Sequence, residues 1–292
     1  MSATTQAAAG RVRWLSRNPG KRAAERWYLI YTPLWGALAG AVMIAGLGVR
    51  WRDHARGDLA FFLFGLTLWA GVLAGGYLWR APEDAGRPWH RLYHTKFQIW
   101  MFVFAFLGNY FTQYFYEVLH MQYGFRTRWN LNHVPFFLYM VTVAYFTTYG
   151  VLINVFRRAI ESSLPAATPR WLRRLAFLPA CFAVAGLETV LNANPWTRSL
   201  FCFDDMPFML WFGTLMYGLW FAVTSPLWFD IDEKRGVDTP LRQVWLTALA
   251  GFMLVICVNE GIRSWVAPHF TVVRRGAVGL DNFGTSCLAP EG

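Results

Sequence analysis

The chain is short of charge. Of its 292 residues only 15% are Asp, Glu, Lys or Arg, whereas 55% are hydrophobic and 18% aromatic. A soluble domain carries about 25% charged residues, and a soluble chain of this size would break its apolar runs into shorter pieces. Cysteine is also scarce. Cys181, Cys202, Cys257 and Cys287 form no CxxC pair and no metal-ligand spacing, so no metal is expected. A Gly-rich phosphate loop, a nucleophile elbow and a dinucleotide fingerprint are all missing, which removes the familiar nucleotide-dependent and serine-hydrolase chemistries. No internal repeat is visible, and no low-complexity region extends past the first ten residues.

What is abundant is apolar length. Seven windows of about 20 residues run roughly over 28–49, 58–79, 97–118, 134–156, 175–194, 206–228 and 243–262. Backbone polar groups must be satisfied inside lipid, so these windows are expected to be helices. The expected fold is an all-α polytopic transmembrane bundle of about seven helices. A basic cytoplasmic segment (1–27) precedes the membrane domain (28–262), and a polar tail (263–292) follows it. The N-terminal stretch reads as preceding a retained helix, because its first apolar run is too long for a signal peptide and lacks a convincing cleavage site.

The net charge of +10 would point to nucleic acid in a soluble protein. Here the basic residues sit in loops, so no nucleic acid partner is expected and the charge speaks to orientation. With the N-terminus in the cytoplasm, 18 of the 27 Lys and Arg lie inside, as the positive-inside rule requires. The partner is then a lipid bilayer: endoplasmic reticulum in a eukaryote, the inner membrane in a bacterium. Cys202 and Cys287 fall on the same non-cytoplasmic side, which permits a disulfide, but spacing alone does not bring two side chains together.

Ionisable groups inside a bilayer are costly and face the bundle interior. Glu117, Glu188 and Glu260 lie late in the third, fifth and seventh windows, and Asn132 and His133 precede the fourth. Odd-numbered helices run the same way, so these groups are expected at one end of the bundle. On a continuous helix Asn109, Gln113 and Glu117 form one stripe, with Tyr110 and Tyr114 beside it. Glu188 and Asn192 are i, i+4, and Glu260 and Arg263 are i, i+3. Plainer readings stand beside these. Polar residues often bond neighbouring helices. Tyr116, His120, Trp129 and Trp265 fit interfacial anchors, and Glu260 fits pairing with Arg263 as well as chemistry. Glu188 has apolar sequence on both sides and no cation nearby, so it is the strongest candidate. His90 and His94 read as a solvated or interfacial pair, and the acidic run 229–235 as a solvated loop paired with its own Lys234 and Arg235.

The run GNYFTQYFYEVL, followed by Tyr123, Phe125, Trp129, Asn132 and Val134–Pro135, resembles the cycloeucalenol cycloisomerase family. So do NPGKRAAERWYLIYTPLW, LETV, Ala193–Asn194–Pro195 and the DEK of Asp232 to Lys234. The resemblance covers about residues 18 to 263. It departs from the family pattern at Gln113, at His133 and at Glu117, which is not acidic in plant members. The resemblance implies a sterol substrate whose 9β,19-cyclopropane ring is opened to a Δ8 sterol, as cycloeucalenol is to obtusifoliol.

That reaction needs an acid, a base and support for a C9 carbocation, and no redox cofactor. A carboxyl enclosed by apolar groups favours its proton-bearing form, which suits Glu188 as the acid. Tyr110 and Tyr114 are expected to face the cation. Asn109, Gln113, Asn132, Asn194, Glu117 and Glu260 are the expected substrate-binding set. Two other readings remain open: a sterol isomerase that moves a ring double bond, and a sterol-binding or lipid-transport protein without catalysis.

Overall fold

The computed structural model describes residues 12–276 and Gly279. Its helices are α1 (Pro19–Met43), α2 (Leu47–Arg52), α3 (Gly57–Leu78), α4 (Tyr93–Tyr110), α5 (Gln113–Val118), α6 (Phe136–Ser163), α7 (Arg170–Leu175), α8 (Leu178–Asn192), α9 (Met206–Phe208), α10 (Thr214–Phe229) and α11 (Leu241–Gly261). Short strands β1 (Met121–Tyr123), β2 (Asn130–Leu131), β3 (Val134–Pro135) and β4 (Phe201–Phe203) lie in the connections. β1 pairs antiparallel with β4, Met121 opposite Phe203, and β2 pairs with β3.

This is an all-α membrane bundle. α1, α3, α4, α6, α8, α10 and α11 each overlap one apolar window of the sequence. Five segments are long and apolar enough to cross a bilayer: Gly57–Leu78, Phe136–Ser163, Arg170–Asn192, Met206–Phe229 and Leu241–His269. α6 is the axis of the bundle. It spans about 42 Å at 1.5 Å per residue, 83% of its most apolar stretch is buried, and it packs against α1, α3, α4, α8 and α10. α11 closes the outside by packing on α4 and α10.

Several boundaries differ from those the sequence suggests. Residues 19–27 do not belong to a separate basic segment. Asn18 accepts a hydrogen bond from the Lys21 amide at 3.2 Å and Pro19 opens α1, an N-cap followed by Pro at N1. The first window is not one helix, because α1 stops at Met43 and Gly46, at φ 83°, turns the chain into α2. The polar tail starts later than residue 263, since a π-helical turn (Ile262–Val266) and a 3-10 turn (Ala267–His269) carry α11 onward.

The third window is also broken. α4 ends at Tyr110, whose carbonyl accepts from Asn132 Nδ2 at 2.5 Å. A side chain that takes a carbonyl from the i→i−4 ladder kinks a helix there. Asn132 sits at φ 50°, a left-handed conformation that Asn tolerates better than most residues. The stripe expected through Asn109, Gln113 and Glu117 is therefore split between two helices.

One end of the bundle holds a buried ionic lock. Arg158 of α6 makes paired hydrogen bonds to Glu25 of α1 (2.9 and 2.7 Å) and to Glu233 (2.8 and 2.7 Å). The fully buried Lys21 ammonium donates to the Phe229 and Ile231 carbonyls at 2.6 and 2.8 Å and lies 3.1 Å from Glu233. Beside them Lys96 pairs with Asp232 at 2.8 Å and with Asp238 at 2.5 Å. The acidic run 229–235 is thus not a solvated loop satisfied by its own Lys234 and Arg235. Its acids anchor α1, α4 and α6. His94, expected to be solvated or interfacial, is buried between Tyr28 Oη (2.6 Å from Nδ1) and the Leu73 carbonyl (3.0 Å from Nε2).

Candidate active site

α8 and α10 approach closely because Gly218 has no side chain. A Cβ there would meet the Phe182 ring at 2.3 Å. The contact brings Tyr217 of α10 to Glu188 of α8. Tyr149 of α6 completes the group, donating its hydroxyl to Glu188 Oε2 at 2.5 Å. Asn192 Nδ2 donates to the Glu188 backbone carbonyl at 3.1 Å. Glu188 is 2% exposed.

These groups line a cavity of about 220 Å³. α1 contributes Trp35, Gly36, Ala39, Gly40 and Met43. α6 contributes Leu138, Val141, Thr142, Tyr145, Phe146 and Tyr149, and α10 contributes Tyr217 and Trp220. Met121 and Tyr123 of β1, with Phe201 and Phe203 of β4, form the wall from the connecting ribbon. Pockets that hold small ligands are mostly apolar with a few placed polar groups, and this lining fits that description. Glu188 is the one ionisable acid or base among the described lining residues other than tyrosine. Asn109 donates from Nδ2 to the Ala105 carbonyl at 2.8 Å, leaving Oδ1 on the cavity wall without a partner among the described residues.

The residues expected from the sequence separate into three places. Glu188 and Asn109 line the cavity, as does Asn192. Tyr114, Glu117 and Glu260 instead gather around Arg263 at the opposite side of α4–α5. Arg263 Nη1 bonds Glu117 at 3.0 Å, Nη2 bonds Glu260 at 2.9 Å, and the guanidinium lies 5.8 Å from the Tyr114 ring centre. Glu260 is thereby paired rather than presented to a cavity. Tyr110 is 38% exposed and packs on Phe106 and Phe111. Gln113 is half-buried and lines no part of the cavity. Asn132 terminates α4. Asn194 caps the turn after α8, its Oδ1 accepting from the Trp196 and Thr197 amides at 3.0 and 3.1 Å. The wall expected of Tyr110 and Tyr114 is supplied by other rings, because the kink at 111–112 turns that surface away.

Tyr145, Tyr149 and Tyr217 also line the cavity and are not among the residues expected from the sequence. The signal that singled out Glu188 applies to them too, a polar atom deep in an apolar run, as in AYFTTYG and LMYGLW. Tyr145 and Tyr149 are also i, i+4. A pairing of Cys202 with Cys287 falls on Cys287, which lies outside the described residues, while Cys181 and Cys257 are free.

A cycloeucalenol cycloisomerase of Arabidopsis thaliana is 31% identical to the chain over 262 residues, 87% of this chain and 90% of that protein. The chain belongs to the cycloeucalenol cycloisomerase family. No family model matches it, and no solved structure matches it.

Proposed function

We propose that this protein is a sterol isomerase that opens the 9β,19-cyclopropane ring of a cyclopropyl sterol, of the kind named by its Arabidopsis relative. The observation that carries this reading is one buried carboxyl, Glu188, hydrogen-bonded by Tyr149 beside Tyr217 in an otherwise apolar, aromatic-walled cavity. Glu188 gives its proton to C19. The C9–C19 bond breaks, its electron pair forms the new C–H bond, and positive charge develops at C9. The C8 proton leaves to the Glu188 carboxylate, its bonding pair forms the C8–C9 double bond, and the acid is restored. The net change is an isomerisation that consumes no co-reactant.

The surrounding residues suit those steps. A Tyr149 hydroxyl on one carboxyl oxygen fixes the plane of the acid and steadies the carboxylate after proton transfer. The faces of Tyr145, Tyr217, Phe146 and Trp220 are candidates to stabilise the cation. An apolar wall keeps out the water that would capture it. Asn109 Oδ1 is a candidate acceptor for the sterol hydroxyl. For the whole chain we propose seven spans with the N-terminus in the cytoplasm, supported by the distribution of Lys and Arg.

The test is product analysis. Membranes expressing the protein are supplied with cycloeucalenol, and obtusifoliol is followed by mass spectrometry. Conversion is expected. Substrate returned unchanged from membranes holding the folded protein overturns the proposal. A product that keeps its cyclopropane but has a displaced double bond assigns the chain to the other isomerase class.

A further inference from the structure

The cavity reaches the surface at one seam. α1 packs against α3, α4 and α6, and α8 packs against α6 and α10, but α1 and α8 face each other across the cavity rather than packing as a helix pair. Ile44 on the α1 side and Leu191 on the α8 side both line the cavity and are also 54% and 49% exposed. Those two residues therefore mark its mouth. The outward surfaces of both helices are apolar, with Leu34 and Leu38 exposed on α1 and Leu187 and Val190 on α8. In a membrane bundle such a surface faces acyl chains rather than water.

The α1 lip is made of small residues at helical spacing, and the space beside them is vacant. A Cβ built on Gly36 or on Gly40 would meet nothing within 4 Å. Glycines in a membrane helix ordinarily let a second helix approach closely, but these two admit no helix. They are also costly in a helix interior, by about 1 kcal/mol each relative to Ala, and no close contact compensates. Both glycines line the cavity that holds Glu188, together with Ile44.

We propose that the cavity is entered sideways from the membrane, through a mouth between α1 and α8, and that Gly36 and Gly40 set the width of molecule admitted. The ligand class is a flat, fused-ring lipid already dissolved in the bilayer. Such a molecule reaches the acid without crossing water, and its apolar edge never leaves an apolar medium. The proposal rests on the sterol reading for the identity of the substrate, but the mouth itself rests on geometry alone.

Two measurements test it, on the full-length protein in lipid nanodiscs. In the first, a sterol bearing a photoactivatable diazirine is irradiated and its adducts are mapped by peptide mass spectrometry. Adducts are expected on residues 34–44 and 187–191, and they are expected to disappear in Gly36→Leu/Gly40→Phe. Adducts spread evenly over all lipid-facing helices, and unchanged in that variant, overturn the proposal. In the second, turnover of a cyclopropyl sterol is compared between wild type, Gly40→Phe and the control Ala37→Phe, which adds the same bulk at an exposed α1 position outside the cavity lining. Gly40→Phe is expected to lower kcat/KM by about tenfold or more, with the melting temperature unchanged because its site is open. The control is expected to match wild type. Equal kcat/KM in all three overturns the mouth while leaving the isomerase reading intact. Seam-specific adducts in a protein that converts no cyclopropyl sterol overturn the isomerase reading and leave the mouth standing.

Discussion

Glu188 was legible in the sequence because a carboxyl amid apolar residues has no cheap place to go. Its partners were harder to see, since a tyrosine in a membrane helix is equally at home at the interface. Glu188→Gln keeps the shape of the side chain and removes the transferable proton. It is expected to reduce turnover by about 100-fold or more while leaving expression and melting temperature near wild type, and the product assay reads this directly. Tyr149→Phe removes the hydroxyl bonded to Glu188. A fall in kcat of about tenfold with KM little changed is expected, because the ring that lines the wall remains. Tyr110→Leu is expected to stay within about twofold of wild-type turnover, since that ring points away from the cavity. A large loss there would return Tyr110 to the site.

At the level of elements, the ends of helices carried less information than their middles. Apolar windows located all seven long helices, but the break after Tyr110 depends on Asn132, which lies 22 positions away and takes the Tyr110 carbonyl. The acidic run 229–235 likewise has local cations in the sequence and distant ones in the fold. Arg158→Met removes the cation shared by Glu25 and Glu233 and leaves the buried Glu25 and the half-buried Glu233 with only Lys21 and the more distant Arg13 nearby. Breaking a buried pair from one side costs about 3–5 kcal/mol, so a clear drop in melting temperature in detergent is expected. The same lock is acid-sensitive. Burial pushes the Glu233 carboxyl up, but the Arg158 hydrogen bonds and the Lys21 ammonium outweigh it and hold the group below the usual carboxylate range. A depressed folded value gives stability that is present above the unfolded value of about 4.3 and is lost as pH falls through the lower folded value. The melting temperature is expected to decline below about pH 4.3, and the decline to be shallower in Glu233→Gln.

For the whole molecule, the count of basic residues makes a prediction about sidedness. With endogenous cysteines replaced, a single cysteine at Arg235 is expected to react with an impermeant maleimide from the cytoplasmic side, and one at Arg198 from the opposite side. The reverse labelling pattern would invert the proposed topology. Sequence by itself determined that the chain lives in a bilayer, that it is helical, and that a lone carboxyl lies among apolar residues. Each follows from composition or from local spacing, because desolvation of the backbone and of a charge does not depend on which helix is the neighbour. Only the tertiary structure decided which aromatic rings surround that carboxyl, which acids are locked to Arg158 and Arg263, and that α1 and α8 stand apart with a cavity between them. Those facts depend on how helices distant in sequence rotate about α6, and a small kink at one carbonyl is enough to exchange the residues that face the cavity for those that face away.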